Sequence, residues 1–165
     1  MGNTVRYLAT GTLFLVLLLG LNRSAAGGAG ELCLQVVRPA GETVLWEVPV
    51  RGETRFTMDY HHSSDHTPVH DVFQITQEGE IVLIEESYLW YGAGLAFHPA
   101  DGVMKRSEGR TRFLLNRKFP HFLLRVGEVA NQVLTVNGQA MPLLQIAKGR
   151  ELVWIRVTKK SGTSR

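Results

Sequence analysis

The densest run of chemically capable side chains in this 165-residue chain is Asp59-Tyr60-His61-His62-Ser63-Ser64-Asp65-His66-Thr67-Pro68-Val69-His70-Asp71, which holds four of the six histidines and three carboxylates. Imidazole and carboxylate together can bind a metal, move a proton, or simply hydrogen-bond, and spacing decides among these. His62, His66 and His70 recur every four residues, the interval that aligns ligands on a helix. Pro68 lacks an amide proton in that stretch and pushes Thr67 toward extended geometry, which argues against a helix. If the segment holds an ion, the set is His62, His66 and Asp71 gathered by a loop. No metal or cofactor is otherwise implied. Ser63 adjoins His62 and lies near Asp65, the residue types of a nucleophilic triad. Neighbours on a strand face opposite ways, however, and triad members converge from distant segments. The strand–Gly-x-Ser-x-Gly–helix elbow is also missing, so no catalytic residue is assigned.

Strand periodicity offers a third reading. Phe56, Met58 and Tyr60 share one face, and His62 continues it; Val69, Phe73 and Ile75 share another that includes Asp71. With residues 63–68 as the connection of a hairpin, both apolar faces turn to one core. His62 then sits opposite or diagonal to Asp71, within reach of a hydrogen bond. A charged group in an apolar face is costly unless partnered. The pair is therefore either a structural tie of the hairpin or the floor of a ligand pocket. His61, His66 and His70 fall in the loop or on the other face and are read as solvated.

The elements around this segment read as strands. Leu32, Leu34 and Val36 alternate with Cys33, Gln35 and Val37, and Val44 to Val48 follows. Beyond the hairpin come Ile81–Ile84, Phe113–Leu115, Phe122–Leu124, Val133–Val136 and Leu152–Ile155. Asn137-Gly138 between two such runs is a two-residue hairpin signal. Turn residues recur at intervals of about 8–12 residues, the rhythm of a sandwich or barrel. Val126, Val129, Ala130 and Val133 fit a helical period, but Gly127 and the β-branched flanks favour a short turn. The expectation is a single-domain, all-β antiparallel sandwich or partly open barrel over residues 27–158, with a polar tail at 159–165.

Residues 1–26 read as an address. Arg6 precedes a nearly uncharged stretch from Tyr7 to Leu21, too short for the roughly twenty residues of a spanning helix, and Ser24-Ala25-Ala26 supplies small residues for cleavage after Ala26. An uncleaved anchor is the alternative. Both place the domain outside the cytoplasm, in the periplasm or tethered to the outer face of the cytoplasmic membrane. The lone Cys33 makes no internal disulfide and reads as a small apolar side chain of the first strand.

Eighteen basic and fifteen acidic residues give a net +3, but residues 31–101 carry net −9 and residues 102–165 net +10. A duplex would meet a face of its own sign, which argues against nucleic acid. The basic stretch Lys105-Arg106, Arg110, Arg112, Arg117-Lys118 and Arg125 reads as a solvated strand edge. Alternatively, the 105–125 region is a docking face for an acidic partner or anionic headgroups. Gly92-Ala93-Gly94 lacks the third glycine and the lysine of phosphate loops. It marks a tight turn or bulge, or, flanked by Tyr88 to Tyr91 and Phe97, the edge of a shallow groove.

The run Tyr60-x-His62-Ser63-x-Asp65-x-Thr67-Pro68-Val69-x-Asp71-x-Phe73, followed by Gly92-Ala93-Gly94-Leu95 and a closing apolar strand at Leu152–Val157, resembles the bacterial family called domain of unknown function 1850. The resemblance spans about residues 32–157. It singles out His62, Ser63, Asp65, Thr67, Pro68, Asp71, Gly92 and Gly94 as a ligand or structural motif. Where the family pattern has glutamate this chain has Asp71, one methylene shorter. The resemblance implies no chemistry, but it implies a neighbourhood: relatives are often encoded beside tripartite ATP-independent periplasmic (TRAP) transporters of the TAXI type. The expected function is thus an exported, non-enzymatic accessory or binding module of TRAP-type solute uptake, touching a transporter component or the membrane through its basic region. A metal-assisted hydrolase using the His62/Asp71 region is the alternative.

Overall fold

The computed structural model describes residues 31–63, 66–89, 102–107 and 109–160. The strands, in chain order, are β1 (Glu31–Arg38), β2 (Thr43–Val50), β3 (Arg55–His61), β4 (Pro68–Ile75), β5 (Ile81–Tyr88), β6 (Val103–Ser107), β7 (Arg110–Phe119), β8 (His121–Arg125), β9 (Val133–Val136), β10 (Gln139–Pro142) and β11 (Leu152–Lys160). Among the described residues the only helical pieces are two 3-10 turns, at Ala40–Glu42 and Leu143–Gln145.

The strands form two antiparallel sheets that do not close into a barrel, so the sandwich is the form adopted. One sheet has the order β2-β1-β11-β8, and the other β10-β9-β3-β4-β5-β7-β6. Period-two patterning explains the packing. Leu34 and Val36 of β1, together with Val153 and Ile155 of β11, meet Phe56 and Met58 of β3, Phe73 and Ile75 of β4, and Leu134 and Val136 of β9 in one buried cluster. The Phe56 and Phe73 rings stack at 4.8 Å. Phe122, from β8 on the other sheet, stacks on Phe73 at 5.2 Å and 9°. This triple stack ties β8 across the layer gap and fixes the space beside it.

Several local expectations are met for identifiable reasons. Cys33 is fully buried in β1. Asn137 and Gly138 both have positive φ, the signature of the tight hairpin turn between β9 and β10. The Val126–Val133 stretch is not a helix, because the Gln132 side chain closes it as a loop. Its Oε1 accepts from the Gly127 amide at 2.8 Å, and its Nε2 donates to the Arg125 carbonyl at 3.1 Å. Two boundaries differ from expectation. The basic edge strand β6 carries too little apolar pattern to read as a strand. At the other end, β11 runs through Lys160, where Lys160 faces Glu31 across β1 and donates to Glu47 Oε1 at 2.6 Å.

The charge split folds back on itself. Arg112 pairs with Glu85, Lys118 with Glu80, Arg156 with Glu42 and Lys160 with Glu47, each joining the basic second half to the acidic first. Arg38–Glu151 runs the other way. Exposed pairs of this kind stabilise little, because solvent screens them and ordering two long side chains costs entropy. Lys105, Arg106 and Arg110 enter no ion pair among the described residues.

Candidate functional site

Strand register decides which side chain reaches Asp71. In the β3–β4 hairpin Phe56 faces Phe73, Met58 faces Asp71, Tyr60 faces Val69 and His61 faces Pro68. Asp71 is on the core-facing side, as its spacing predicts, but His62 is neither opposite nor diagonal to it, which corrects that expectation. The diagonal neighbour is Tyr60, one step earlier on the same face, and its hydroxyl hydrogen-bonds the Asp71 carboxyl. His62 lies just past the end of β3. Its amide donates to the Thr67 carbonyl at 2.9 Å, and its carbonyl accepts from the His66 amide at 2.9 Å, which closes the loop.

Tyr60 and Asp71 line a cavity of about 300 Å³ between the sheets. Met58, Phe73 and Leu83 come from the larger sheet and its neighbouring strands. Phe119 closes the end of β7, and Phe122 and Leu124 of β8 cover it from the other layer. The lining is apolar apart from Tyr60, Asp71 and Gln132, and Gln132 is already committed to its loop on both amide atoms. Asp71 Oδ1 is buried and accepts no hydrogen bond. A buried acceptor left this way costs roughly 1–3 kcal/mol.

The electrostatics follow from this placement. Burial pushes the Asp71 carboxyl up to about 8, and the neighbouring carboxylates Glu86 and Asp59 push in the same direction. The Tyr60 hydrogen bond opposes them. Burial and the nearby Asp71 charge push the Tyr60 hydroxyl well above its ordinary range. At neutral pH Asp71 is therefore mostly a neutral carboxylic acid, able to donate or accept a hydrogen bond, and convertible to an anion by a partner that stabilises charge.

A second, more open groove of about 360 Å³ adjoins the first through Tyr60 and Gln132. It is lined among others by His61, His62, Ser63, Arg125 and Arg150. Thus His62 and Ser63 border the neighbouring groove, and Asp71 the cavity. Thr67 and Pro68 serve the hairpin closure. Asp65, Gly92 and Gly94 lie outside the described residues. Among the described residues no group of three or more histidine, cysteine or acidic side chains is placed to hold a metal ion. His62, His66 and Asp71 are therefore not gathered as the metal reading requires. A histidine–aspartate contact does exist in the hairpin, on its outward face. His70 Nδ1 lies 2.6 Å from Asp59 Oδ1, the residue directly across from it. His70 is thus partnered, where its face alone suggested simple solvation.

Sequence reasoning finds Asp71 and its face but misses most of the cavity wall. Phe119, Phe122, Leu124 and Gln132 come from segments 48–61 residues further along the chain. Their one local signal is the aromatic pair flanking Pro120-His121, which marks a sharp corner between β7 and β8.

Fold and site define an all-β sandwich whose inter-sheet cavity is lined by one half-buried carboxyl. The chain belongs to the family described as Domain of unknown function (DUF1850), whose sequence model matches residues 56–143, from β3 to the turn after β10. No curated protein and no solved structure matches it.

Proposed function

We propose that this domain is an exported, non-enzymatic binding module that holds a small organic ligand and serves TRAP-type solute uptake. The observation that carries the binding role is the largely apolar cavity whose lining includes the half-buried Asp71, a carboxyl with one oxygen left without a hydrogen-bond partner. One carboxyl in an otherwise apolar lining is the arrangement of a specificity contact, where one polar group orients a ligand held by apolar burial. The link to uptake rests on the family resemblance, and the export on the basic, apolar and small-residue order of residues 1–26. Lys105, Arg106 and Arg110 of the β6–β7 edge would meet the transporter component or the membrane surface, since no acidic side chain among the described residues neutralises them.

The hydrolase alternative gains less support, because it needs His62 and Asp71 together with a loop histidine or Asp65, and the register sets His62 beyond the end of β3, neither opposite nor diagonal to Asp71. Affinity purification of the native full chain in mild detergent, combined with uptake assays in a gene deletion, tests the proposal. Recovery of a transporter component and loss of uptake of one solute are expected. Uptake unchanged across the solutes tested, with no transporter component recovered, contradicts it.

A further inference from the structure

Resting on the cavity as a ligand site, we infer that its ligand is a monovalent organic amine, with the ammonium at Asp71 and the apolar body between the sheets. Three observations carry this. First, Asp71 is the one acidic side chain of the lining among the described residues, and its shielded Oδ1 has no hydrogen-bond partner, so a cationic donor reaching the carboxyl would complete it. Second, Glu86 stands directly across from Asp71 on β5 and Asp59 adds its field from the outward face, so the acidic side chains next to Asp71 favour a positive group there. Third, the wall holds Tyr60, Phe73, Phe119 and Phe122, with Phe119 and Phe122 tilted at 60° and 5.9 Å apart, a setting of π faces that attracts an ammonium. Arg117, whose guanidinium sits 5.7 Å from the Phe119 centroid, does not line the cavity.

The proton balance is explicit. The ligand ammonium keeps its own proton, while the Asp71 carboxyl releases its proton to solvent and becomes the counter-ion. From β3 the titratable group on the face of Asp71 is Tyr60, and from β5 Glu86 lies directly across; Asp59 and its partner His70 act from the outward face. The opposite layer presents Phe122 and Leu124, which do not titrate. Because burial pushes the carboxyl up to about 8, ammonium binding must first ionise it. Affinity should then rise roughly tenfold per pH unit up to about pH 8 and level off beyond.

The test is calorimetric and NMR titration of the full chain with matched pairs: butylamine and butanol, cyclohexylamine and cyclohexanol, and phenethylamine and phenylethanol. It is run at pH 6, 7, 8 and 9 on the wild type and Asp71→Asn. At least one amine is expected to bind tenfold or more tightly than its alcohol at pH 8. It should release one proton per complex at pH 7 and lose that preference in Asp71→Asn, whose affinity for the alcohol should be little changed. Alcohols that bind as well as amines, or affinity that falls as pH rises, would overturn the amine assignment while leaving the binding site in place. No shift of the resonances of Met58, Leu83 or Leu124 with any of the six probes would sink the binding site and the amine together.

Discussion

Replacing Asp71 by asparagine gives the most exposed test of the site's electrostatics. The carboxyl titrates near its ordinary value, 3.8, when the chain is unfolded and near 8 when folded. Between those values the unfolded state is ionised and the folded state carries a proton, so stability falls as pH rises. Below 3.8 the two states bind the same proton and there is no penalty. Above 8 both are ionised and the penalty is constant. Each unit in the window costs about 1.4 kcal/mol. From pH 5 to pH 8 the wild type should thus lose on the order of 4 kcal/mol that a neutral, near-isosteric asparagine does not lose. Residual structure in the unfolded chain will reduce the figure. For a domain of this size the gap corresponds to a difference in Tm of about 10 °C opening between pH 5 and pH 8. Urea titrations of both proteins at pH 4, 5, 6, 7, 8 and 9 measure it. Asp71→Asn is expected to match or slightly trail the wild type at pH 4 and to exceed it increasingly up to pH 8. Parallel stability curves would refute the reasoning, because they mean that Asp71 ionises alike in both states and is not desolvated in the cavity.

Other consequences follow from neighbouring parts of the structure. Phe56→Ala removes a fully buried ring from the triple stack and should cost roughly 3–5 kcal/mol by chemical denaturation. His70→Ala breaks a half-exposed cross-strand contact with Asp59 and should cost under about 1 kcal/mol in the same assay. Gly138→Ala forces a Cβ into a positive-φ turn position and should cost about 1–2 kcal/mol, though nothing crowds the site. Reversing the exposed Lys105 and Arg106 to glutamate should leave Tm within a few degrees and, under the proposed docking role of this edge, weaken sedimentation with vesicles containing anionic lipid; unchanged sedimentation would count against lipid docking.

How much was legible in the sequence depends on how far apart the cooperating residues lie. Alternation over three to five positions fixes the face of Asp71 and of Phe56, Met58 and Tyr60, because side-chain direction in a strand is local. It does not fix register. His62 and Tyr60 share a face, and the choice between them depends on where the hairpin loop closes. The His62–Thr67 and His66–His62 backbone bonds set that closure, and they pair His61 with Pro68. The outward His70–Asp59 contact follows from the same register and was hidden for the same reason. The cavity was less legible still, since Phe122 meets Phe73 only when β8 crosses to the other sheet. No periodicity encodes that long-range step. The charge split, by contrast, translated directly into ion pairs between the two halves. Lys105, Arg106 and Arg110 at the β6–β7 edge are among the basic residues that stay outside those pairs.

The claim that most needs a direct measurement is that the chamber over Asp71 holds a small molecule. The full chain, purified from its native host without harsh detergent, can be compared with Leu124→Trp, a variant whose bulky ring on β8 fills the chamber and whose fold is checked by circular dichroism. Denaturing each and analysing the extract by mass spectrometry reads the occupant. The account predicts a small organic compound, close to equimolar with the wild-type protein and missing from the filled variant. Identical extracts from the two proteins would contradict it.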